Sequence, residues 1–563
     1  MLFTLIIWMY LAFIFLIYGT GTLALIRRAF SPQSPRIPLS MVALLGLAVI
    51  AWMSSILSLV IKMGLVAHLF VLVGALLVLF FHFDEVKACL LVGFPRTSRV
   101  VWILALLVLV TTILYAVKIP GNPDTPLYHA QAIHWIEEYP AVLGLGNLEP
   151  RLGANSSWFT LNALFSFSFL NFQSFHIIPS FLFLVCVAYF LDGLQNLMKG
   201  DSGLSQMVKL GFVPVAFYVL IDEISSPGTD LPVILFYWVI LCLWLEAVEE
   251  PSSPILATLI LFFSVLVVTF KLSGVLILLF ALQTLVRWVA KKEFRFLWTG
   301  LGLAVAVLLP WMVRTFILTG YWIYPEPLMQ MFSPRVDWQI PIDRVLAFKR
   351  GVQAWALSPG TTWDEISGFS LLQRLGFWFS NLTSNQEGIT ILALLSPILF
   401  GLFSAVPKRH AKTISYFSVI LLSFLNLLFW LFSAPNFRFG YGFVVGSALL
   451  GVAPLIKLVF EKFKNYRMYL LVALTLVLSL QQVYVILGST RDGTQYPEYV
   501  ILPADYAHVP TDTCSLEGVT IFCAHRYRQC GYDAFPCVPQ IPKDVVLRSN
   551  SFRAGFRRNS SDP

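Results

Sequence analysis

Apolar residues along this chain come in long blocks and do not alternate with polar ones. Leu2 to Ile26 holds no charged residue, and comparable blocks recur near 38–61, 64–83, 99–117, 174–196, 206–221, 231–248, 254–269, 272–289, 296–312, 386–405, 414–433, 439–457 and 468–487. An α-helix needs roughly 20 apolar residues to cross a bilayer core. The pattern therefore predicts an all-α polytopic membrane protein with about 14 transmembrane helices. A transmembrane β-barrel is excluded, because its strands are near 10 residues long and alternate in polarity. Three stretches break the pattern: 118–173, 313–385 and 488–563. Inside the first of them, the apolar run Trp158 to Phe172 reads as an interfacial segment. The organisation expected is a transmembrane domain over 1–487, with outer loops 118–173 and 313–385, followed by a small tail over 488–563.

Composition sharpens this picture. Of 563 residues, 58% are hydrophobic and 12% charged, where soluble domains carry about 25% charged residues. A soluble enzyme, a disordered tail protein and a disulfide mini-protein are all excluded. The net charge of +8 invites a nucleic-acid partner, but the basic residues sit in short loops and at helix edges, where positive charge orients the spans. With the N-terminus outside, Arg27, Arg28 and Arg36, then Lys87, Arg96 and Arg99, then Lys199 and Lys209 all fall on the inner side. Arg287, Lys291, Lys292 and Arg295 follow suit, as do Lys408, Arg409 and Lys412, and finally Lys457, Lys462, Lys464 and Arg467. No nucleic acid is called for. Both termini and the three long stretches are then extracytoplasmic. The start is apolar from its first residue, without the basic n-region of a signal peptide.

Candidate chemistry concentrates in the first outer loop. Asp124, Thr125 and Pro126 start a helix that runs to about Glu138 and stops at Pro140. Asp124 reads either as its cap or as a reactive carboxylate. In an α-helix Asp124, Tyr128, Gln131 and Trp135 share one face, and His129, His134, Glu137, Glu138, Arg151 and Asn155 crowd the same loop. Loops held by a rigid scaffold are where function gathers. Further outer-end groups are Asp230, itself a candidate cap, and Lys271, which is either functional or snorkelling. Arg314, Tyr324 and Arg438 complete the set. Arginine suits phosphate because its planar donors bind two oxygens at once, so Arg151, Lys271, Arg314 and Arg438 on one face would clamp a phosphate or diphosphate. Trp135, Trp158, Tyr321 and Tyr324 read either as sugar platforms or as an interfacial belt.

Cys514, Cys523, Cys530 and Cys537 cluster in the tail and read as two disulfides with three connectivities open. A zinc site competes, without a C-x-x-C pair to support it. Cys89, Cys186 and Cys242 read as apolar packing residues. No Walker loop, HExxH or G-x-S-x-G is present, and His129 and His134 are wrongly spaced for an i, i+4 metal pair. A divalent metal thus has no motif behind it.

The segments DTPLYHAQAIHWI, GLGNLEPRLGANSSWF, SSPGTDLP, FKLSG, PWMVRTFILTGYWIYP and APNFRFG resemble the GT-C superfamily of polytopic glycosyltransferases, most closely a group of bacterial membrane proteins related to it. The tail CGYDAFPCVPQIPKDVVLRSNSFRAGFR is similar to that group's C-terminus. The resemblance implies an inverting transferase in the bacterial plasma (inner) membrane. Its donor would be a polyprenyl-phosphate-type lipid-linked sugar, with no other cofactor implied, and its acceptor a cell-envelope glycan, lipid or protein. It also implies Asp124 as general base. Two features depart from the superfamily pattern: four spans precede the acidic loop, and Asp124 is followed by Thr125 where many members carry a second acid. A transporter or flippase of lipid-linked saccharide, and an O-antigen type ligase or polymerase, are the alternative readings.

Overall fold

The structure is a computed structural model that describes residues 1–30, 37–92, 98–250, 253–404, 410–491, 494, 496–525 and 528–559. Arg36, Arg96, Lys408 and Arg409 of the basic loops lie outside the described residues. The chain is nearly all helical. Among the described residues, ten helices are long and apolar enough to cross a membrane, or up to twelve if two bent helix pairs each count as one span. Helix length alone thus establishes ten to twelve of the fourteen spans expected. The blocks at 206–221 and 254–269 form helices Leu204–Val219 and Pro254–Phe270, of 16 and 17 residues. The blocks at 64–83 and 386–405 belong to the pairs Leu65–Phe81 with Phe83–Leu91, bent by 91°, and Ser384–Leu394 with Ser396–Ser404, bent by 52°. A bend leaves the average hydropathy of a block unchanged, so it is invisible in the sequence pattern.

Helix Asp230–Glu249 is apolar all round and is buried over most of its length. A helix with no polar face belongs at the centre of a bundle, and it packs on Pro254–Phe270, Phe437–Lys462 and Leu204–Val219. The outer helices instead expose large apolar side chains, among them Phe80, Trp298 and Leu480.

The run from Trp158 is buried among the helices. Helix Ser157–Leu164 is buried along its whole length, with Trp158, Phe159 and Leu161 in the core. It penetrates between helices because its polar groups find partners there. Ser156 Oγ donates to the Phe270 carbonyl at 2.7 Å, the Ser157 and Thr269 hydroxyls bond, and Thr160 meets Ser54. Only the end of the run, at Leu170 and Phe172, is exposed.

The tail forms its own small β-structure. Strands β1 (Thr511–Leu516) and β2 (Val519–Ala524) make a hairpin, β3 (Cys537–Val538) runs parallel to β2, and β4 (Val545–Leu547) pairs with β5 (Phe556–Arg558). Disulfides join Cys514 to Cys523 and Cys530 to Cys537. This unit closes over one end of the bundle. The amides of Leu2 and Phe3 donate to Val500 and Ile501 carbonyls, Ala504 N–H to Val117, and Cys530 and Gly531 N–H to Pro126. Phe556 N–H donates to the Leu143 carbonyl. At that contact the two chains run so close that a Cβ on Gly144 or Gly555 would lie 2.2 Å from the facing carbonyl, and both residues have positive φ. Arg548 pairs with Asp337 of the second long loop. The N-terminus, both loops and the tail therefore share one end of the molecule.

Candidate functional site

Asn122 organises the start of the first loop. Its Oδ1 accepts the Asp124 amide at 2.9 Å, its carbonyl accepts the Thr125 amide, and its Nδ2 donates to Glu223 Oε2 at 2.7 Å. Asp124 occupies the cap position of the next helix, yet its side chain makes no capping bond. It reaches instead to Arg438, whose Nη2 lies 2.5 Å from Asp124 Oδ2. Arg438 Nε is 3.3 Å from Asp230 Oδ2, and Lys271 Nζ is 2.5 Å from Asp230 Oδ1. Asp230 is no cap either: Thr229 holds that position, and Asp230 is the first helical residue, where a negative charge suits the helix dipole. Asp124, Arg438, Asp230 and Lys271 thus form one chain of ion pairs drawn from four separate segments. Lys271 is paired, not snorkelling, and its ammonium also lies over the Phe439 ring at 4.0 Å.

The predicted common face of Asp124, Tyr128, Gln131 and Trp135 is split. The first turn, Thr125–His129, is a π-helix, closed by the Ala130 amide on the Thr125 carbonyl, and only Ala130–Glu138 is α-helical. The wider π turn resets the phase between the two halves. Tyr128 stays with the ion pairs, while Gln131 bonds the Gly531, Ala534 and Cys537 backbone and Trp135 packs on Phe535, Phe552 and Phe556 of the tail. Burial, then Asp124 and Asp230, push the Tyr128 hydroxyl well above its usual value, so it remains a proton donor. Burial pushes His129 down to about 3, against the pull of Asp230. A neutral imidazole wedged between Tyr128 and Phe159 brings no charge to the site.

A third carboxyl belongs here that the sequence reading did not single out. Glu223, held by Asn122, is raised above the usual carboxylate range by burial, with Asp230 and Asp124 adding to it and Asn122 and Arg438 opposing. No ion pair to it is present among the described residues. Trp355 was likewise missed: it comes from helix Ile342–Leu357 of the second long loop and lies 5.4 Å from the Arg438 guanidinium. Its sequence neighbourhood carries no motif.

Arg314 stands apart from these pairs. It is 5% exposed, Nη1 donates to Asn155 Oδ1 at 2.6 Å, and Nε has no partner. Asn155 in turn donates to Trp311 and Thr315. Among the described residues no carboxylate pairs with Arg314. Its partner Asn155 precedes Ser156, which bonds Phe270, the residue before Lys271. Arg151 is spent on Glu149 at 3.0 Å, though its charge still reaches Tyr128. The expected four-cation clamp is therefore reduced: Arg151, Lys271 and Arg438 face carboxylates, and Arg314 alone has none. Tyr324 stacks on Phe348 and packs with Tyr321, Ile340 and Val345 in a small core of the second loop. With Trp135, Trp158 and Tyr321 also buried, none of these aromatics forms an interfacial belt or an open sugar platform.

Glu137 lies on the other side of the same short helix. Its carboxylate accepts from Ser174 at 2.9 Å and from Tyr532 at 2.5 Å, which ties the loop to the tail. Among the described residues no three His, Cys, Asp or Glu side chains come together as metal ligands. The model of a family described as a domain of unknown function, DUF8201, matches residues 1–445, a stretch that holds every residue of the ion-pair chain and stops before the tail. No curated protein matches the chain.

Proposed function

The chain belongs to the DUF8201 family, and for this member we propose glycosyl transfer from a lipid-phosphate sugar, at the membrane face where the tail, both long loops and the ion-pair chain meet. The observation that carries the reading is Arg314. A buried guanidinium without a carboxylate is costly, and an anionic ligand relieves that cost. The base is then Asp124, a carboxylate that is not consumed in capping its helix. Asp124 takes the proton of an acceptor hydroxyl. The hydroxyl oxygen bonds to the anomeric carbon, the bond from that carbon to the phosphate oxygen breaks, and the phosphate leaves with the electron pair. Arg314, with Lys271 and Arg438, stabilises the charge that grows on it. The acceptor is a cell-envelope glycan, lipid or protein.

Disulfides form and persist outside the reducing cytoplasm, so two of them in the tail support an extracytoplasmic face for the site. Fourteen crossings fit the same contacts. Helix Leu204–Val219, though short, leads through the turn Ile221–Glu223 to Ser226 on Asn122, and Pro254–Phe270 ends at Phe270 on Ser156. Ser205, at the start of the first, bonds Glu249 at the far end of Asp230–Glu249. A flippase is the weaker reading, since transporters place their charges at the bilayer midplane and these lie at one end.

The test starts with a strain lacking the protein. The lipid-linked sugar that accumulates is isolated, identified by mass spectrometry and given to the purified protein with envelope acceptor. Sugar transfer with release of lipid phosphate is expected. Accumulation of the lipid without transfer by the purified protein would remove the enzyme reading.

A further inference from the structure

The end of the bundle away from the site carries a second feature. Helices Leu2–Phe30, Leu39–Leu57, Leu65–Phe81, Pro254–Phe270, Leu278–Ala290 and Phe294–Thr319 enclose a cavity of about 470 Å³, walled by side chains such as Leu25, Val78, Leu261, Trp288 and Leu303. That is within the range of about 300–1,000 Å³ typical of ligand pockets. Its lining offers almost nothing polar: four of its polar side chains are satisfied by backbone, and His82 turns its Nδ1 towards Glu85, 3.5 Å away. Thr258 donates to Pro254, Thr299 to Arg295, Tyr18 to Val71 and the Trp52 indole to Ala306, all at 2.8–2.9 Å. Water needs two to four polar partners to occupy such a space, so hydrocarbon is the fitting occupant. Leu25 is 59% exposed and Thr299 is exposed, which places the opening on the flank of the bundle, between the first helix and Phe294–Thr319.

The rim is net positive, with Glu293 and Glu85 among its basic residues. Lys291 and Lys292 follow Trp288 within about one turn, and Arg295 precedes Thr299 by one turn. All three are exposed, and among the described residues none has an ion pair. Arg28, beside the lining residue Ala29, is paired with Glu85. An apolar slot with a cationic rim matches one acyl chain beneath an anionic headgroup, since each Lys or Arg near a membrane surface favours anionic lipid.

We propose that this cavity is a binding site for an anionic glycerophospholipid, one acyl chain lying in the slot and the phosphate meeting Lys291, Lys292 and Arg295. The site is separate from the ion-pair chain and does not depend on the transfer reaction.

The experiment is native mass spectrometry of the full chain in detergent, titrated with phosphatidylglycerol, with phosphatidylcholine of the same acyl chains, and with a polyprenyl phosphate. Phosphatidylglycerol should bind at least about tenfold more tightly than phosphatidylcholine. Thr22→Trp, which fills the slot from the first helix, should abolish binding of both. A triple variant, Lys291→Gln with Lys292→Gln and Arg295→Gln, should keep chain binding and lose the preference for phosphatidylglycerol. Where Thr22→Trp does not fold, the triple variant decides alone. Equal binding of the two phospholipids by the unaltered protein overturns the proposal, as does an unchanged preference in the triple variant. Displacement of phosphatidylglycerol by equimolar polyprenyl phosphate also overturns it, because the slot would then serve the donor.

Discussion

Arg438 Nη2 and Asp124 Oδ2 lie 2.5 Å apart although 314 residues separate them in the chain. The pair settles what Asp124 is not. A carboxylate that caps a helix folds back onto its own amides, and this one points away to a guanidinium at the start of helix Phe437–Lys462. Arg438 then carries a second acid, Asp230, so the pairing does not close off Asp124 as an isolated couple.

Asp124→Asn should leave a folded, well-expressed protein, because Asp230 still holds Arg438. Transfer should fall by about 10²–10⁴-fold, the usual worth of a general base. The rate of sugar transfer, measured beside expression and thermal stability, checks this. Glu223→Gln is the necessary companion. Should Asp124→Asn keep near wild-type transfer while Glu223→Gln loses it, the base is Glu223.

Arg438 and Arg314 should respond oppositely to removal of their charge. Arg438→Met leaves Asp124 and Asp230 facing each other without their shared cation, and losing one partner of a buried pair typically costs about 3–5 kcal/mol. Low yield or a clearly lower melting temperature is expected. Arg314→Met removes a buried charge that no carboxylate balances, so the melting temperature should stay level or rise while transfer is lost. A large drop in stability for Arg314→Met would make that residue structural.

Docking of the tail should weaken as pH rises. Burial lifts the Glu137 carboxyl to about 7, against the bonds from Ser166, Tyr532 and Ser174. A carboxyl raised in the folded state binds its proton more tightly there than in the unfolded chain. Its contribution is fully present below the unfolded value, near 4.5, and is lost as pH climbs to about 7. The full effect is on the order of 3 kcal/mol. Melting temperature should fall between pH 5 and 7 in the unaltered protein, and the Glu137→Gln variant should show a flatter profile over that range. Parallel profiles would show that Glu137 is not the group responsible.

Thiol labelling should separate the two cysteine classes. In the denatured, unreduced protein, only Cys89, Cys186 and Cys242 should take maleimide; after reduction, Cys514, Cys523, Cys530 and Cys537 should label as well. A reporter fused after the tail and active only in the cytoplasm should be silent. Seven labels without reduction would dissolve both disulfides and the argument for the face on which the tail lies.

Much of this protein was legible from its residues. The helices were, because a membrane helix satisfies its backbone within its own segment, so a block of apolar residues is sufficient information. Asp124, Asp230, Lys271, Arg314 and Arg438 of the candidate site stand out in the sequence against apolar surroundings, whereas Glu223 does not. Helix bends at His82 and Leu395, the π turn at Thr125–His129 and the burial of Trp158 were not legible, because each depends on what packs alongside. Nor was the partnership of charges. Four cations looked equally suited to phosphate until Lys271 and Arg438 met carboxylates brought from elsewhere, Arg151 met Glu149 two residues away, and Arg314 met only Asn155. Apolar character and helical backbone bonding can be read residue by residue; which charges cancel depends on segments hundreds of residues apart arriving within a few ångströms, and only the folded bundle decides that.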